Sequence, residues 1–362
     1  MATKHREVFD YLERLISTEE IQNGDPLPGE NDLSATLSVS RNTVRHAINE
    51  LSKKYRIERT PGRGSVYLGE VSPSPNTKSI GIINSSLSYT IYPEMIHGVK
   101  EGLFNGGYSM LLANGNYDPE KEKESAKRML ANGVSGIIVE PTNSGRLNED
   151  SEIVQVLNRS GVPVVTTNCE IPGLQASFVT VDDARIGEDA VDFLLGLGHR
   201  RIACAFKSDT QAGELRYQGY VRALERAGIP VDPELARRYT QEDEPSLPGV
   251  WFTRDILENT SRSTRPTAFV YFNDQVAHQA YSAFAELDLT VPGDVSVVGI
   301  DNIPESVRAI PSLTTFNHPK YVMGKLAAEV MLARLGKHDD RLLHGVTMRA
   351  QLVQRDSTAR IA

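Results

Sequence analysis

The stretch Leu27-Pro28-Gly29-Glu30-Asn31-Asp32-Leu33, continued by Val39-Ser40-Arg41-Asn42-Thr43-Val44-Arg45 and then Leu51, carries the spacing of a helix-turn-helix. Pro28 to Glu30 open a helix whose Leu33 and Leu37 point inward. Ser40 stands where an N-cap belongs, ahead of a helix with Val44, Ala47, Ile48 and Leu51 on its inner face. Arg41, Asn42 and Arg45 are left on the outer face of its first turns. Arginine grips phosphate and reads guanine through paired donors, asparagine reads adenine, and the Thr43 hydroxyl suits a phosphate oxygen.

The flanks complete a small domain. Upstream, Val8, Tyr11, Leu12, Leu15 and Ile16 repeat at helical spacing over residues 4–17, and Asn23-Gly24-Asp25-Pro26 turns the chain. Downstream, the β-rich segments 57–60 and 65–68 flank Pro61-Gly62-Arg63-Gly64, a glycine-containing hairpin. The unit is therefore winged, with Arg63 at the wing tip in reach of a minor groove. The whole chain carries a net charge of -8, but a phosphate backbone meets local charge. Between residues 41 and 63, seven basic residues face two glutamates, a local net of +5.

This head resembles the DNA-binding domain of the GntR family in its Leu-Pro-x-Glu start, its Val-Ser-Arg-x-Thr-Val-Arg helix and its Gly-Arg-Gly wing. The resemblance places Arg41, Thr43, Arg45 and Gly64 at the DNA and gives Glu30 the task of orienting the recognition arginines. Tyr55-Arg56-Ile57 departs from the family, which turns through glycine here, and leaves the start of the wing open.

At 362 residues, 24% charged and 40% hydrophobic, the chain has room for two or three soluble globular domains. The first thirty residues hold no apolar run of signal-peptide type, and no stretch approaches the ~20 apolar residues of a membrane span. A cytoplasmic protein without membrane contact is expected. Cys169 and Cys204 are far apart and lack clustered histidines, so neither a zinc pattern nor a disulfide framework is visible. Both read as small buried residues. The segment 70–78 is polar, contains Pro73 and Pro75, and lacks periodicity. The domains accordingly read as 1–70 for the head, 71–78 for a linker and 79–362 for the body.

In the body, apolar runs at 80–83, 110–113, 136–139, 162–165, 202–206, 268–272 and 295–300 alternate with helical patterns. That order specifies parallel α/β layers, in this length two lobes. Ligands in such sheets sit at the carboxyl ends of strands, where Ser85, Ser86, Glu140, Asn168, Asn273, Asp274 and Asp301 fall. Carboxylates and amides of this kind pair with adjacent hydroxyls, and aromatic rings cover the apolar face of a pyranose. A sugar-like polyol is the expected ligand. Tyr89, Tyr92 and Trp251 are either stacking partners or core and rim, and Asp274 either binds ligand or caps the following helix.

The body resembles the LacI family over residues 79 to about 355. The resemblance rests on Gly198-His199-Arg200-Arg201-Ile202, Arg216 with Gly219-Tyr220, Pro266-Thr267-Ala268, Asn273-Asp274, the run from Val291-Pro292-Gly293-Asp294 to Asp301, and Pro311-Ser312-Leu313-Thr314-Thr315. It implies two lobes of periplasmic-binding-protein type that clasp an effector, a homodimer, and Arg216, Asn273 and Asp301 as the residues that hold a sugar. Asn168 stands where other members have aspartate. The pairing of these two parts resembles the arabinose-repressor family of Gram-positive bacteria, with further likeness at Ile137-Ile138-Val139-Glu140-Pro141-Thr142, Phe206-Lys207-Ser208-Asp209 and His318-Pro319-Lys320 with Gly324-Lys325. This implies L-arabinose as effector, Glu140 and His318 as added ligands, and Lys4 near the DNA. A capping or hinge-packing role for His318 stays open beside it.

The expected function is a transcriptional repressor that binds double-stranded operator DNA as a homodimer and is released by a monosaccharide, with no cofactor beyond that effector. A different sugar, or activation in place of repression, remains an alternative. An enzyme with a regulatory head is disfavoured, since no phosphate-binding loop, metal cluster or nucleophile elbow is present. A transport receptor would share the body's fold but has no use for a DNA-reading head.

Overall fold

In the computed structural model, residues 4–18, 20–52, 54–60, 64–70, 78–87, 90–336 and 345–361 are described, and the chain divides into the compact units Met1–Asn76 and Thr77–Ala362. Arg63, Tyr89 and the stretch 71–77 read as linker lie outside the described residues.

The first unit packs α1 (Lys4–Ser17), α2 (Glu30–Thr36) and α3 (Arg41–Leu51) against an antiparallel hairpin of β1 (Tyr55–Thr60) and β2 (Gly64–Glu70). Val8, Leu12, Val44, Ala47 and Leu51 are wholly buried, as their spacing predicts. Phe9 joins them, while Tyr11 and Leu37 are only half-buried. The Ser40 hydroxyl accepts from the Thr43 amide at 3.2 Å and caps α3. β1 starts at Tyr55, earlier than the pattern suggests. Tyr55 is buried edge-on against Tyr67 at 5.7 Å, and a bulge between Tyr55 and Ile57 turns Arg56 to solvent. Gly64 takes φ +77, a left-handed conformation that suits the return of the hairpin.

The second unit holds two six-stranded sheets. The first lobe contains β3 (Ser79–Asn84), α4 (Tyr92–Asn105), β4 (Ser109–Asn114), α5 (Pro119–Ala131), β5 (Gly136–Glu140), α6 (Glu152–Asn158), β6 (Val164–Thr167) and β7 (Ser177–Val181). The chain then enters the second lobe with α7 (Asp183–Gly196), β8 (Ile202–Lys207), α8 (Gln211–Arg226), β9 (Ala236–Tyr239), α9 (Pro248–Glu258), β10 (Ala268–Tyr271), α10 (Asp274–Glu286), β11 (Ser296–Ile300), α11 (Pro304–Arg308) and β12 (Thr314–Asn317). It returns through α12 (Lys320–Leu335) and β13 (Gly345–Met348), and ends on β14 (Gln351–Val353).

The sheet orders are β13-β7-β6-β5-β3-β4 and β14-β12-β11-β10-β8-β9. Every pairing is parallel except β12 with β14. The central strands β3, β8 and β11 are buried along their whole length, which explains their unbroken apolar runs. The chain passes between the lobes three times, after β7, after β12 and between β13 and β14. Among the described residues, no helix is long and apolar enough to cross a membrane.

Close helix contacts run through glycine in both lobes. A methyl group at Gly98 of α4 would stand 2.1 Å from the Tyr321 carbonyl oxygen, and one at Gly324 of α12 would stand 1.9 Å from that of Met95. In the second lobe, Gly187 of α7 and Gly219 of α8 leave the same 2.1 and 2.0 Å to Arg216 and Ala184. The backbones touch, so added volume must move a whole helix. Gly324→Ala is expected to cost about 1–3 kcal/mol and lower the calorimetric midpoint by several degrees, whereas Gly196→Ala, with no atom within 4 Å of the added carbon, leaves the midpoint unchanged or raised. Equal midpoints for Gly324→Ala and wild type would contradict the close-packing account.

Candidate functional site

In the head, Arg41, Asn42 and Arg45 are exposed on the first turns of α3, with Thr43 half-buried between them. Glu30 opens α2 beside them. Its Oε2 accepts from Arg45 Nε at 2.8 Å and lies 3.7 Å from an Arg41 terminal nitrogen. One carboxylate thus aligns two exposed guanidinium groups. A fixed guanidinium loses less entropy on meeting a base edge than a free one. Lys4 is exposed at the start of α1 and precedes His5, whose ring lies 5.1 Å from His46 of α3. Gly64 is exposed at the start of β2.

In the second unit, Ser85, Tyr92, Glu140, Asn168, Arg216, Asn273, Asp301 and His318 all line one cleft of about 770 Å³, its open mouth included. Most of these follow the carboxyl ends of parallel strands. The exceptions come from helices α4 and α8 and from the crossover after β12, which brings His318.

A hydrogen-bonded relay runs along the first-lobe wall of the cleft to the crossover that carries His318. Tyr92 donates to Glu140 Oε1 at 3.0 Å, and Asn168 Nδ2 donates to Glu140 Oε2 at 2.8 Å. His318 Nε2 then donates to Asn168 Oδ1 at 2.9 Å. The order of partners fixes the tautomer, because Asn168 Oδ1 can only accept. His318 is neutral. Burial, and then the charges of Arg216 and Lys320, push its pKa down to about 3. Its Nδ1 is buried and without a hydrogen-bond partner among the described residues. Burial pushes the Glu140 carboxyl up to about 7, against the lowering effect of the Asn168 and Tyr92 hydrogen bonds.

Asn168 takes φ +57, where asparagine is the best tolerated of the larger residues. An amide there donates to Glu140 and accepts from His318 at once. Aspartate could do only the second and would set two carboxylates together.

On the facing wall, Arg216 is buried. Its Nε donates to Asp183 Oδ1 at 2.8 Å, a terminal nitrogen donates to the Phe272 carbonyl at 2.6 Å, and the guanidinium lies 4.9 Å from the Phe272 ring centre. Asp301 takes φ +118, a strained backbone, and its carbonyl accepts from Lys320 Nζ at 2.5 Å. Strain of this kind persists where the surroundings hold it, and Lys320 does so here.

Two sequence expectations are corrected. Asp274 neither lines the cleft nor caps α10: its carboxylate is buried under the Ile303 amide and the Ser306 and Thr315 hydroxyls at 3.0, 2.7 and 2.5 Å. The cap of α10 is Asn273, which accepts from the Val276 amide at 2.8 Å. Trp251 is 55% exposed on α9, away from the cleft, and packs edge-on against Phe252. Sequence reasoning passed over Tyr117, Lys207, Asp209, Gln241, Glu244 and Phe272, which also line the cleft. Lys207 is the last residue of β8 and Asp209 lies just past it, a signal in plain sight. Gln241 and Glu244 sit in a 3-10 turn, Gln241–Ser246, with no strand pattern to announce them.

The lobes touch at the rim. Gln211 clasps the Glu170 backbone through both ends of its amide, at 2.7 Å to the N–H and 2.5 Å to the carbonyl, and its own N–H meets the Ser144 hydroxyl at 3.1 Å. Gly145 N–H donates to the Asp209 carbonyl at 3.1 Å. The cleft is closed along this edge.

Comparison with known proteins agrees with both halves. Residues 4–66 match the bacterial regulatory proteins of the gntR family, and residues 191–358 match the periplasmic binding protein-like domain. The arabinose metabolism transcriptional repressor of Geobacillus stearothermophilus is 32% identical over 96% of this chain and 95% of its own length. A second, from Halalkalibacterium halodurans, is 32% identical over 99% of this chain and 97% of its own. Among solved structures, transcription regulator CcpA of Lactococcus lactis superposes with a TM-score of 0.69 at 25% identity, over 78% of this chain and all of that one. With a GntR-type head, a LacI-type body and this likeness along nearly its full length, the chain belongs to the family of arabinose metabolism transcriptional repressors.

Proposed function

We propose that the chain represses transcription by binding operator DNA as a homodimer, and that a monosaccharide, L-arabinose, entering the cleft releases it. The observation that carries this reading is the Tyr92–Glu140–Asn168–His318 relay opposite Arg216, Asn273 and Asp301. Sugar hydroxyls donate and accept at once, and this set offers both functions from fixed side chains. Carboxylates at Glu140 and Asp301 suit donation by neighbouring hydroxyls, and the Phe272 ring suits an apolar sugar face. The choice of arabinose follows the relatives' regulatory role. No cofactor is needed, and operator DNA places the protein in the cytoplasm.

The dimer is supported by exposed apolar side chains on the first lobe. Phe104 is 78% exposed at the end of α4, and Leu111 and Leu112 of the edge strand β4 are also exposed. Apolar side chains on an edge strand invite a second copy. A two-fold dimer presents its heads to an inverted repeat.

Three outcomes test this reading. In calorimetric titration, L-arabinose is expected to bind wild type with Asp301→Ala abolishing the heat while operator affinity stays within about twofold; loss of operator binding as well would make Asp301 structural. The pH dependence follows from Glu140. Acidification from pH 8 to pH 6 protonates a carboxyl held near 7, removes an acceptor, and is expected to weaken sugar binding by up to about tenfold, with a flat profile in Glu140→Gln. A wild-type affinity independent of pH would remove Glu140 from the sugar. For the head, Arg45→Ala is expected to cost on the order of 1–3 kcal/mol at one base position; an equal loss on operator and random DNA would make Arg45 a phosphate contact.

A further inference from the structure

The packing of α1 on α3 brings three metal-ligating side chains together at the edge of the head. His46 and Glu50 are one turn apart on the same face of α3, and His5 reaches them from the first turn of α1. Their candidate donor atoms all lie within 4.8 Å of one another. His5 Nε2 stands 3.5 Å from Glu50 Oε2, and the two imidazole rings are 5.1 Å apart at an interplanar angle of 53°. Glu50 Oε2 is itself buried and receives no hydrogen bond among the described residues. A carboxylate oxygen shielded from water, with two imidazoles beside it, is donor chemistry that suits zinc.

We infer that His5, His46 and Glu50 bind a divalent transition-metal ion, zinc, and that the ion clips the start of α1 to the recognition helix. Zinc bonds of about 2.0–2.2 Å place tetrahedral donors about 3.3 Å apart, so the three must close by an ångström or so. His46 is exposed and His5 and Glu50 are half-buried, which leaves their side chains free to make that adjustment. The set supplies three protein donors and keeps the fourth position for water. Lys4 and Arg45 adjoin the site in sequence, but Arg45 is already paired with Glu30, which lessens its repulsion of a cation.

The consequence lies in the DNA-reading surface. His46 follows Arg45 directly, and His5 follows Lys4. An ion held by both histidines would restrain both basic residues at once. Binding to the folded head alone would also stabilise it by mass action.

The test uses full-length, tag-free protein stripped with chelator, so that no engineered histidines compete. Titration with zinc chloride in a calorimeter is expected to show one ion per chain, with affinity at least about tenfold weaker in His46→Ala. Zinc should raise the melting midpoint and tighten operator binding in wild type and do neither in His46→Ala, whose exposed side chain is not needed for folding. Cobalt substitution should give visible absorption bands in wild type that the variant lacks. Zinc binding of equal strength and stoichiometry in His46→Ala, or no binding above the chelator-treated baseline, would overturn the assignment and leave the three side chains as an ordinary helix-packing contact.

Discussion

The hydrogen bond from His318 Nε2 to Asn168 Oδ1, 2.9 Å long, is the constraint on which the cleft depends. His318 lies on the chain's second passage between lobes, and Asn168 stands at the end of a first-lobe strand. The bond fixes the imidazole tautomer and turns the Asn168 amide so that its nitrogen meets Glu140. Everything downstream follows from that orientation. Glu140 is held against Tyr92, and His318 keeps Nδ1 as an acceptor without carrying charge. The relay thus ties the lobes' connection to the groups offered to a sugar.

The opposite wall works by burying charge. Arg216 and Asp183 are both buried, and burial raises the Asp183 carboxyl even with the guanidinium beside it. Breaking such a pair leaves an uncompensated charge in a poor solvent, which makes the geometry of Arg216 costly to disturb. The glycine contact between α7 and α8 sets the same residue by a second route, because Gly187 packs on the Arg216 backbone. At the rim, the Gln211 clasp holds the lobes with neutral hydrogen bonds that water can replace. A rigid wall and an exchangeable latch are what a sugar-driven opening and closing requires.

Much of this was legible in the sequence. The helix-turn-helix spacing and the central strands follow from apolar periodicity, the Ser40 cap from a hydroxyl residue placed ahead of a helix, seven cleft residues from strand ends and family likeness, and Tyr92 from its aromatic ring alone. What escaped had physical reasons. β12 contains buried Thr314 and Thr315, whose polarity is satisfied by Ser357, Thr358 and Asp274 from distant segments. β9, β13 and β14 are short edge strands and carry no unbroken apolar run. Tyr55 replaced an expected turn because its ring is a core anchor. Asp274 looked like a ligand because its position after β10 is right and only its direction is wrong. The His5, His46 and Glu50 cluster is spread over two helices and has no linear motif to show it.

In the proposed function, occupancy of the cleft changes how tightly the head holds DNA. Coupling of this sort is typically ~1–3 kcal/mol, a change of about 5–150-fold in affinity. The direct measurement is fluorescence anisotropy of a labelled operator duplex titrated with the protein, with and without saturating L-arabinose and a panel of other pentoses and hexoses. A loss of operator affinity within that range with L-arabinose is the predicted result. An affinity unchanged by every sugar would contradict it.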